Sequence, residues 1–412
     1  MAEKGKLNTN VLYLSYDGLT DPLGESQILP YVIGLSNYGY NMHIVSFEKQ
    51  VGNPSIDKIK RDLISQGIQW TYFKYHKRPP VLSTIYDVFL LYRFVKKITF
   101  GRQYIIHCRS YITALVGLLM KRKLGHGFIF DMRGFWADER VDGKIWSLNN
   151  PMIGLVFRFF KRKEKEFIRH ADRVLTLTYK SKEIIHSWGL KSPEKIDVIP
   201  TCVDRDHFNK QKILQSEIAR LQNNYGIESN DFVLGYVGSL GTWYMLEEML
   251  QFWWVLKSKA PGAKFLIVTK DDPEIIRIKC AELNVSVNDI IITPASRSDI
   301  PALIYLCNWS IFFIQPYFSK AASAPTKLAE IINMGVPVLC NKGVGDINYF
   351  FNKYDLGYAI RKLDNDQFID AAEHILNNQN KRVNNDIIVE EFDLKLAVVK
   401  LNTIYSELRS SF

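Results

Sequence analysis

One run joins the start of a helix to a cation and a carboxylate one turn apart: Ser323-Ala324-Pro325-Thr326-Lys327-Leu328-Ala329-Glu330. Proline is tolerated early in a helix, because the N–H it lacks would be unpaired there anyway. A helix N-terminus that faces a cleft offers free N–H groups and the positive end of a dipole, both suited to phosphate. Lys327 adds a full charge beside them. Glu330 lies one turn further on and shares a face with Lys327. A carboxylate there can accept from two adjacent hydroxyls, as on a ribose. Spacing alone is equally met by a capped surface helix with an incidental Lys–Glu pair.

Two glycine turns follow strands. Val11–Ser15 leads into Asp21-Pro22-Leu23-Gly24-Glu25-Ser26, where Gly24 would let backbone approach a phosphate and Ser26 would cap a helix. Gly238-Ser239-Leu240-Gly241-Thr242-Trp243-Tyr244 follows Val233–Val237. Gly238, Ser239, Gly241, Thr326 and Arg297 are grouped with Lys327 and Glu330 as the ligand-binding set, Glu330 facing hydroxyls and the others phosphate. Arg109 and Arg133 stand at the carboxyl ends of strands, and a charged residue there is hard to explain as packing. Asp131, Asp138 and Glu139 are the carboxylates placed to activate or orient an acceptor. A loop cap or a salt bridge is the competing role for each of them.

The elements that must position these residues alternate. Val11–Ser15, Met42–Phe47, Tyr104–His107, Phe128–Met132 and Arg173–Thr178 read as strands, with Ile196–Pro200 after them. Helical patterns cover Ser26–Ser36, Tyr86–Thr99, Ile112–Lys123 and Gly154–Arg169. Residues 203–230 are polar and read as an interdomain connection. Alternation then restarts, with strands at Val233–Val237, Lys264–Val268, Ile290–Thr293, Trp309–Ile314 and Pro337–Cys340. The helices between them are Met245–Lys257, Pro273–Leu283, Ile300–Leu306 and Thr326–Met334. Leu394–Leu408 reads as a terminal helix. The expectation is an α/β protein of two doubly wound, Rossmann-like domains, 1–202 and 231–393, facing a central cleft. The helix in 394–412 would pack back on the first domain.

Composition narrows the class. The 412 residues are 47% hydrophobic and 23% charged, a globular balance. No apolar run reaches the roughly 20 residues of a membrane span, and residues 1–8 lack the apolar core of a signal peptide. The five cysteines are scattered without metal-ligand spacing, which fits a reducing cytoplasm. Net charge is +10 and uneven: residues 1–200 carry 31 Lys and Arg against 18 Asp and Glu, and residues 201–412 carry 22 against 25. The basic half, with aromatic-basic stretches such as Gly154–Phe167, suits an anionic membrane surface. The alternative is inward-facing Phe157, Phe160 and Phe167 with the bases in water. No nucleic-acid recognition motif accompanies the charge.

The segment from Ser323, followed by Gly335-Val336-Pro337-Val338, resembles the donor-site motif of the retaining glycosyltransferases of the GT-B fold, family four. In that motif a Glu, seven further residues and a second Glu precede a Gly-x-Pro-Val strand entry. Glu330 matches the second Glu; the first falls on Ala322. Val198-Ile199-Pro200-Thr201-Cys202-Val203-Asp204 with Phe208, and Ala171-Asp172-Arg173-Val174, are similar to other family segments. The second-domain glycine turn lacks the family's Arg and Lys, Ser239 and Tyr244 standing near those places. Arg109 stands where family members often carry a second His.

The resemblance implies hexosyl transfer from a nucleotide diphosphate-sugar to a hydroxyl, with retention, in bacterial surface polysaccharide assembly. No metal or resident cofactor is implied. Lys327 becomes the first candidate to hold the diphosphate, ahead of Arg133 and Arg109. A sugar or lipid-linked sugar would be the acceptor, at the cytoplasmic face of the membrane. An epimerase of the same fold and a non-catalytic partner subunit are the rival readings.

Overall fold

A computed structural model describes residues 9–384 and 389–410. They divide into two compact units: Met1–Pro200 with Leu394–Phe412, and Thr201–Asp393.

Unit 1 begins β1 (Asn10–Ser15), α1 (Pro22–Gln27), α2 (Leu29–Ser36), β2 (Asn41–Glu48), α3 (Ser55–Ser65) and β3 (Gln69–Lys74). It continues α4 (Leu82–Ile98), β4 (Tyr104–Arg109), α5 (Ser110–Leu124), β5 (Gly127–Asp131), α6 (Trp136–Asp142) and α7 (Pro151–His170). Then come β6 (Arg173–Thr176), α8 (Tyr179–Ser187) and β7 (Ile196–Val198). The strands form one parallel sheet in the order β3-β2-β1-β4-β5-β6-β7. Parallel sheets are covered on both faces, so their central strands read as apolar runs. β5 is buried at every position, and β1 and β4 at all but the first.

Unit 2 runs α9 (Gln215–Tyr225), β8 (Val233–Val237), α10 (Leu246–Lys259), β9 (Lys264–Val268), α11 (Pro273–Glu282) and β10 (Ile290–Thr293). After these come α12 (Ile300–Leu306), β11 (Trp309–Phe312), α13 (Thr326–Asn333) and β12 (Val338–Asn341). It closes with α14 (Ile347–Lys353), β13 (Gly357–Ile360), α15 (Asn365–Asn377) and α16 (Val389–Phe392). Its parallel sheet has the order β10-β9-β8-β11-β12-β13. In each sheet the order in which strands are added therefore reverses beside the first strand, between β1 and β4 and between β8 and β11. Such a switch point opens a crevice beyond the strand ends, where ligands bind.

Three expectations change. Ser26–Ser36 is two helices: the backbone breaks at Ile28 (φ −122°, ψ −61°), and Pro30 sits in the first turn of α2. A proline there cannot continue the preceding helix. Edge strands β3 and β13 were not anticipated, because both are largely half-exposed and lack a continuous apolar run. Residues 203–230 are not a bare connection. Val203, Phe208, Leu221 and Ile227 are buried in the core of unit 2, and α9 ends on Gly226 in the left-handed region. The final helix, α17 (Leu394–Arg409), packs on α2 and β4 of unit 1.

Candidate active site

In unit 2 the first turn of α13 brings Lys327 to the switch point. The side chain is buried, and Nζ has no hydrogen-bond partner. It lies 3.6 Å from the centre of the Tyr244 ring, 4.0 Å from that of Tyr236 at the end of β8, and 5.9 Å from that of Phe312 at the end of β11. Ring faces attract a cation, but they do not replace the hydration of an ammonium group. Burial accordingly drives the Lys327 pKa well below its usual 10.5, with only Glu330 opposing.

Gly238 makes this placement possible. Its φ is +132°, and a Cβ there would stand 2.9 Å from Lys327 Nζ. Gly241 has no comparable need: an added Cβ would meet nothing nearer than Ser239 Oγ at 3.9 Å. The carbonyl of Ser239 accepts from the Tyr236 hydroxyl, and the N–H of Leu240 donates to Asp271. Backbone bonds from Met245 to Phe313 (3.0 Å) and from Gln315 to Trp243 (3.0 Å) tie the loop to the segment after β11. The aromatic box is thus held by main chain.

Glu330 is partly exposed, one turn along α13. Burial raises its carboxyl to about 7, against the pull of Arg297 and Lys327. Arg297 is exposed, and its carbonyl accepts from His207 Nε2 at 3.0 Å. Glu330 is therefore coupled electrostatically to both Lys327 and Arg297. Thr326 opens α13, which has no side-chain cap; the N–H of Leu328 donates to the carbonyl of Pro325 at 3.0 Å. Pro325 is the residue before the helix rather than its first turn. Ala322 is fully buried in a short 3-10 turn. The sequence reading missed a second buried lysine, Lys320, with Nζ 3.5 Å from the centre of the Trp243 ring. It also missed the tyrosine box, whose only sequence sign is Tyr236 and Tyr244 flanking the glycine turn.

In unit 1 the strand register gathers a second charged group. Ser15 lies beside Arg109, and Arg109 beside Asp131, at the ends of β1, β4 and β5. Asp131 Oδ2 is 3.5 Å from His107 Nε2 and 3.9 Å from Arg109 Nη1, and its Oδ1 is 3.8 Å from Arg133 Nη1. Arg109 Nε is 3.6 Å from Asp17 Oδ2, in the loop after β1. Burial would raise the Asp131 carboxyl, but Arg133, His107 and Arg109 together hold it below its usual value. It is therefore an ionised anchor and a weak base at neutral pH. Arg133 has φ +55° and Gly134 +135°, so the chain turns sharply on leaving β5.

Three of the expected residues meet other partners here. Asp138 is engaged by Lys161 at 2.7 Å, the salt-bridge role. Gly24 lies inside α1, where a Cβ would stand 2.3 Å from the carbonyl oxygen of Gly18. Its close approach is to its own chain, and Asp21 rather than Ser26 precedes the helix. Ser26 Oγ instead donates to the carbonyl of Pro22 at 2.8 Å. The loop is fixed by buried Glu48, which accepts from the N–H groups of Leu19 (2.8 Å) and Thr20 (3.2 Å) and from the Thr20 hydroxyl (2.7 Å). Glu139 stands beside Asp138 in the first turn of α6, not on β5 with Asp131.

Comparison with known proteins settles the family. Glycosyltransferase Family 4 matches residues 31–207, and Glycosyl transferases group 1 matches residues 217–387. The chain belongs to the family-four type of glycosyltransferases with the GT-B fold. No curated protein sequence matches it. Among solved structures, a glycosyltransferase from Rickettsia africae covers 99% of this chain and all of its own, with a TM-score of 0.70 at 17% identity. HepE of Anabaena in complex with UDP covers 98% and 100%, with a TM-score of 0.68 at 17% identity; that protein is also known with UDP-glucose. The UDP-GlcNAc 2-epimerase of Neisseria meningitidis, bound to UDP-GlcNAc, covers 98% and 100% with a TM-score of 0.59 at 12% identity. At these identities the structural likeness speaks for the fold.

Proposed function

We propose that this glycosyltransferase moves a hexosyl group from a nucleotide diphosphate-sugar to an acceptor hydroxyl, with retention at the anomeric carbon. The carrying observation is the Lys327 amine: buried, without a hydrogen-bond partner, at a helix start beside a glycine turn. An unpaired buried amine lacks an anion, and a diphosphate is the anion this family's donors supply. In this reading Lys327, the α13 N–H groups and Arg297 carry the diphosphate charge without a metal. Glu330 accepts from the ribose hydroxyls. The bond between the sugar and the diphosphate breaks, a bond to the acceptor oxygen forms, and the acceptor proton departs.

Unit 1 takes the acceptor, with Arg109 and Arg133 oriented by Asp131. The acceptor class we favour is a lipid-linked sugar in bacterial surface polysaccharide assembly. The test is a thermal-shift panel of UDP, GDP and ADP and their sugars. Stabilisation by one base family, lost in Lys327→Ala and reduced in Glu330→Ala, is expected. No shift with any nucleotide defeats the reading. An epimer formed from the donor alone would move the chain to the epimerase class.

A further inference from the structure

We propose that His76, held by the buried carboxylate of Asp87, binds the acceptor hydroxyl on unit 1 and takes its proton, a role that rests on the glycosyl-transfer reading. Transfer to a hydroxyl releases a proton, and the carboxylates described so far are poor takers. Asp131 is kept ionised by Arg133, His107 and Arg109, and Asp138 is bridged to Lys161. His76 follows β3 by two residues, and Asp87 stands in the second turn of α4. Three donors face the wholly buried Asp87: His76 Nδ1 at 2.6 Å from Oδ1, the His76 N–H at 3.2 Å from Oδ2 and the Tyr16 hydroxyl at 2.8 Å from Oδ2. A carboxylate only accepts, so Nδ1 carries the ring proton and Nε2 keeps its lone pair.

That second nitrogen is open. The His76 side chain is 35% exposed and that of Asp87 0%, so the edge of the ring away from Asp87 is the one that meets solvent. Among the described residues Nε2 forms no hydrogen bond. A tie between loops needs only the bonds to Asp87 and leaves the open nitrogen without a use. Aromatic rings stand around the pair. Tyr86, half exposed, meets the imidazole edge-on with 5.3 Å between centroids, and Tyr16 meets Tyr75 at 5.4 Å. A few placed polar atoms among aromatic walls suit a sugar ring, which is apolar on its face and hydroxylated at its rim. The loop after β1 joins this pair to the charged group at the strand ends. Tyr16 reaches Asp87, and Asp17, the next residue, lies 3.6 Å from Arg109 Nε. His76 and Arg109 thus flank one loop beyond the carboxyl ends of the strands, the side where such sheets bind ligands.

The step balances. The acceptor hydroxyl donates to Nε2. As its oxygen bonds to the anomeric carbon, the O–H bond breaks and the proton goes to Nε2. The bond between sugar and diphosphate breaks, and its electron pair leaves on the diphosphate. Asp87 stabilises the imidazolium through the Nδ1 bond, and water then removes the proton from Nε2. The other titratable groups about the ring are Asp87 and Tyr86 of α4, Tyr16 of the loop after β1, and Tyr75 and Lys77 on either side in the chain. Of these side-chain types, imidazole is the one that ordinarily changes charge between about pH 5 and 8.

The experiment follows release of nucleoside diphosphate by the full chain from UDP-glucose, GDP-mannose or ADP-glucose at saturation, with p-nitrophenyl hexosides as acceptors. In His76→Gln, kcat/KM for the acceptor should fall about a hundredfold or more, while the thermal shift given by the nucleotide is unchanged. In the unaltered chain kcat/KM should fall as pH drops, because protonated Nε2 cannot accept; saturating donor keeps Glu330 out of this limb. The limb should be missing in His76→Gln. Added imidazole should restore part of the rate of His76→Ala. The proposal is overturned if His76→Gln keeps both the rate and the acid limb. It is equally overturned if the rate falls together with the melting midpoint and imidazole restores nothing to His76→Ala, the result expected of a tie between loops. If the unaltered chain is stabilised by no nucleotide and releases none, the transfer reading falls and the role of His76 with it.

Discussion

Lys327 and Glu330 are a titrating pair one turn apart on α13, and their signs can be worked out. The folded state holds the Lys327 amine below its unfolded pKa, so it binds fewer protons than the unfolded chain, and this group makes stability rise with pH. Lys327→Met should therefore stabilise the free protein at neutral pH. The melting midpoint should rise by about 2–4 °C for each kcal/mol relieved, and the gain should shrink as pH approaches the unfolded value. Glu330 behaves oppositely. Its folded pKa of about 7 lies above that of an unfolded glutamate, so its contribution is present at low pH and is lost as pH rises through about 7. Nucleotide affinity should fall as pH drops below about 7, since a protonated carboxyl accepts less from a ribose. Calorimetric titration of UDP against pH reads this, and the acid limb should be missing in Glu330→Gln. A flat profile in the unaltered protein removes Glu330 from the ribose.

At the scale of elements, three glycines predicted alike from sequence turn out to differ. Gly24→Ala drives a methyl onto the backbone of the loop after β1 and should cost about 1–3 kcal/mol. Gly238→Ala meets both an unfavourable φ and the Lys327 amine, and should cost a similar ~1–3 kcal/mol along with nucleotide binding. Gly241→Ala has open space and should be within about 0.5 kcal/mol of neutral. Denaturant melts of the three variants check the ranking; equal losses would mean the turns are held otherwise. The sequence could mark these turns as glycine-rich but not say what each glycine faces. The central strands were legible because burial on both faces demands apolar runs, and β8 and β9 fall where expected. Edge strands β3 and β13 need no such run and left no signal.

For the whole molecule, the last helix returns to the first unit. The Tyr405 hydroxyl meets His107 Nδ1 at 2.7 Å, and His107 in turn faces Asp131. Lys400 Nζ donates to the carbonyl of Val198 at 2.8 Å, and Val398 packs against Gly34. Removing residues 394–412 should therefore loosen unit 1 and spare unit 2. Hydrogen exchange should rise in β1 and β4 while β8 to β12 stay protected. Equal loss of protection in both sheets would contradict this division.

By itself the sequence determined the α/β alternation, the two doubly wound sheets and the Pro325–Glu330 segment with its family resemblance. Those are local properties, written in periodicity and turn residues. Only the tertiary structure decided that Lys327 sits boxed by Tyr236 and Tyr244, that Asp131 is shared by Arg109, Arg133 and His107, and that α4 turns Phe89 outward. These depend on strand order and on which helix face meets the sheet. Such pairings join residues far apart in the chain, and hydrophobic periodicity carries no record of them.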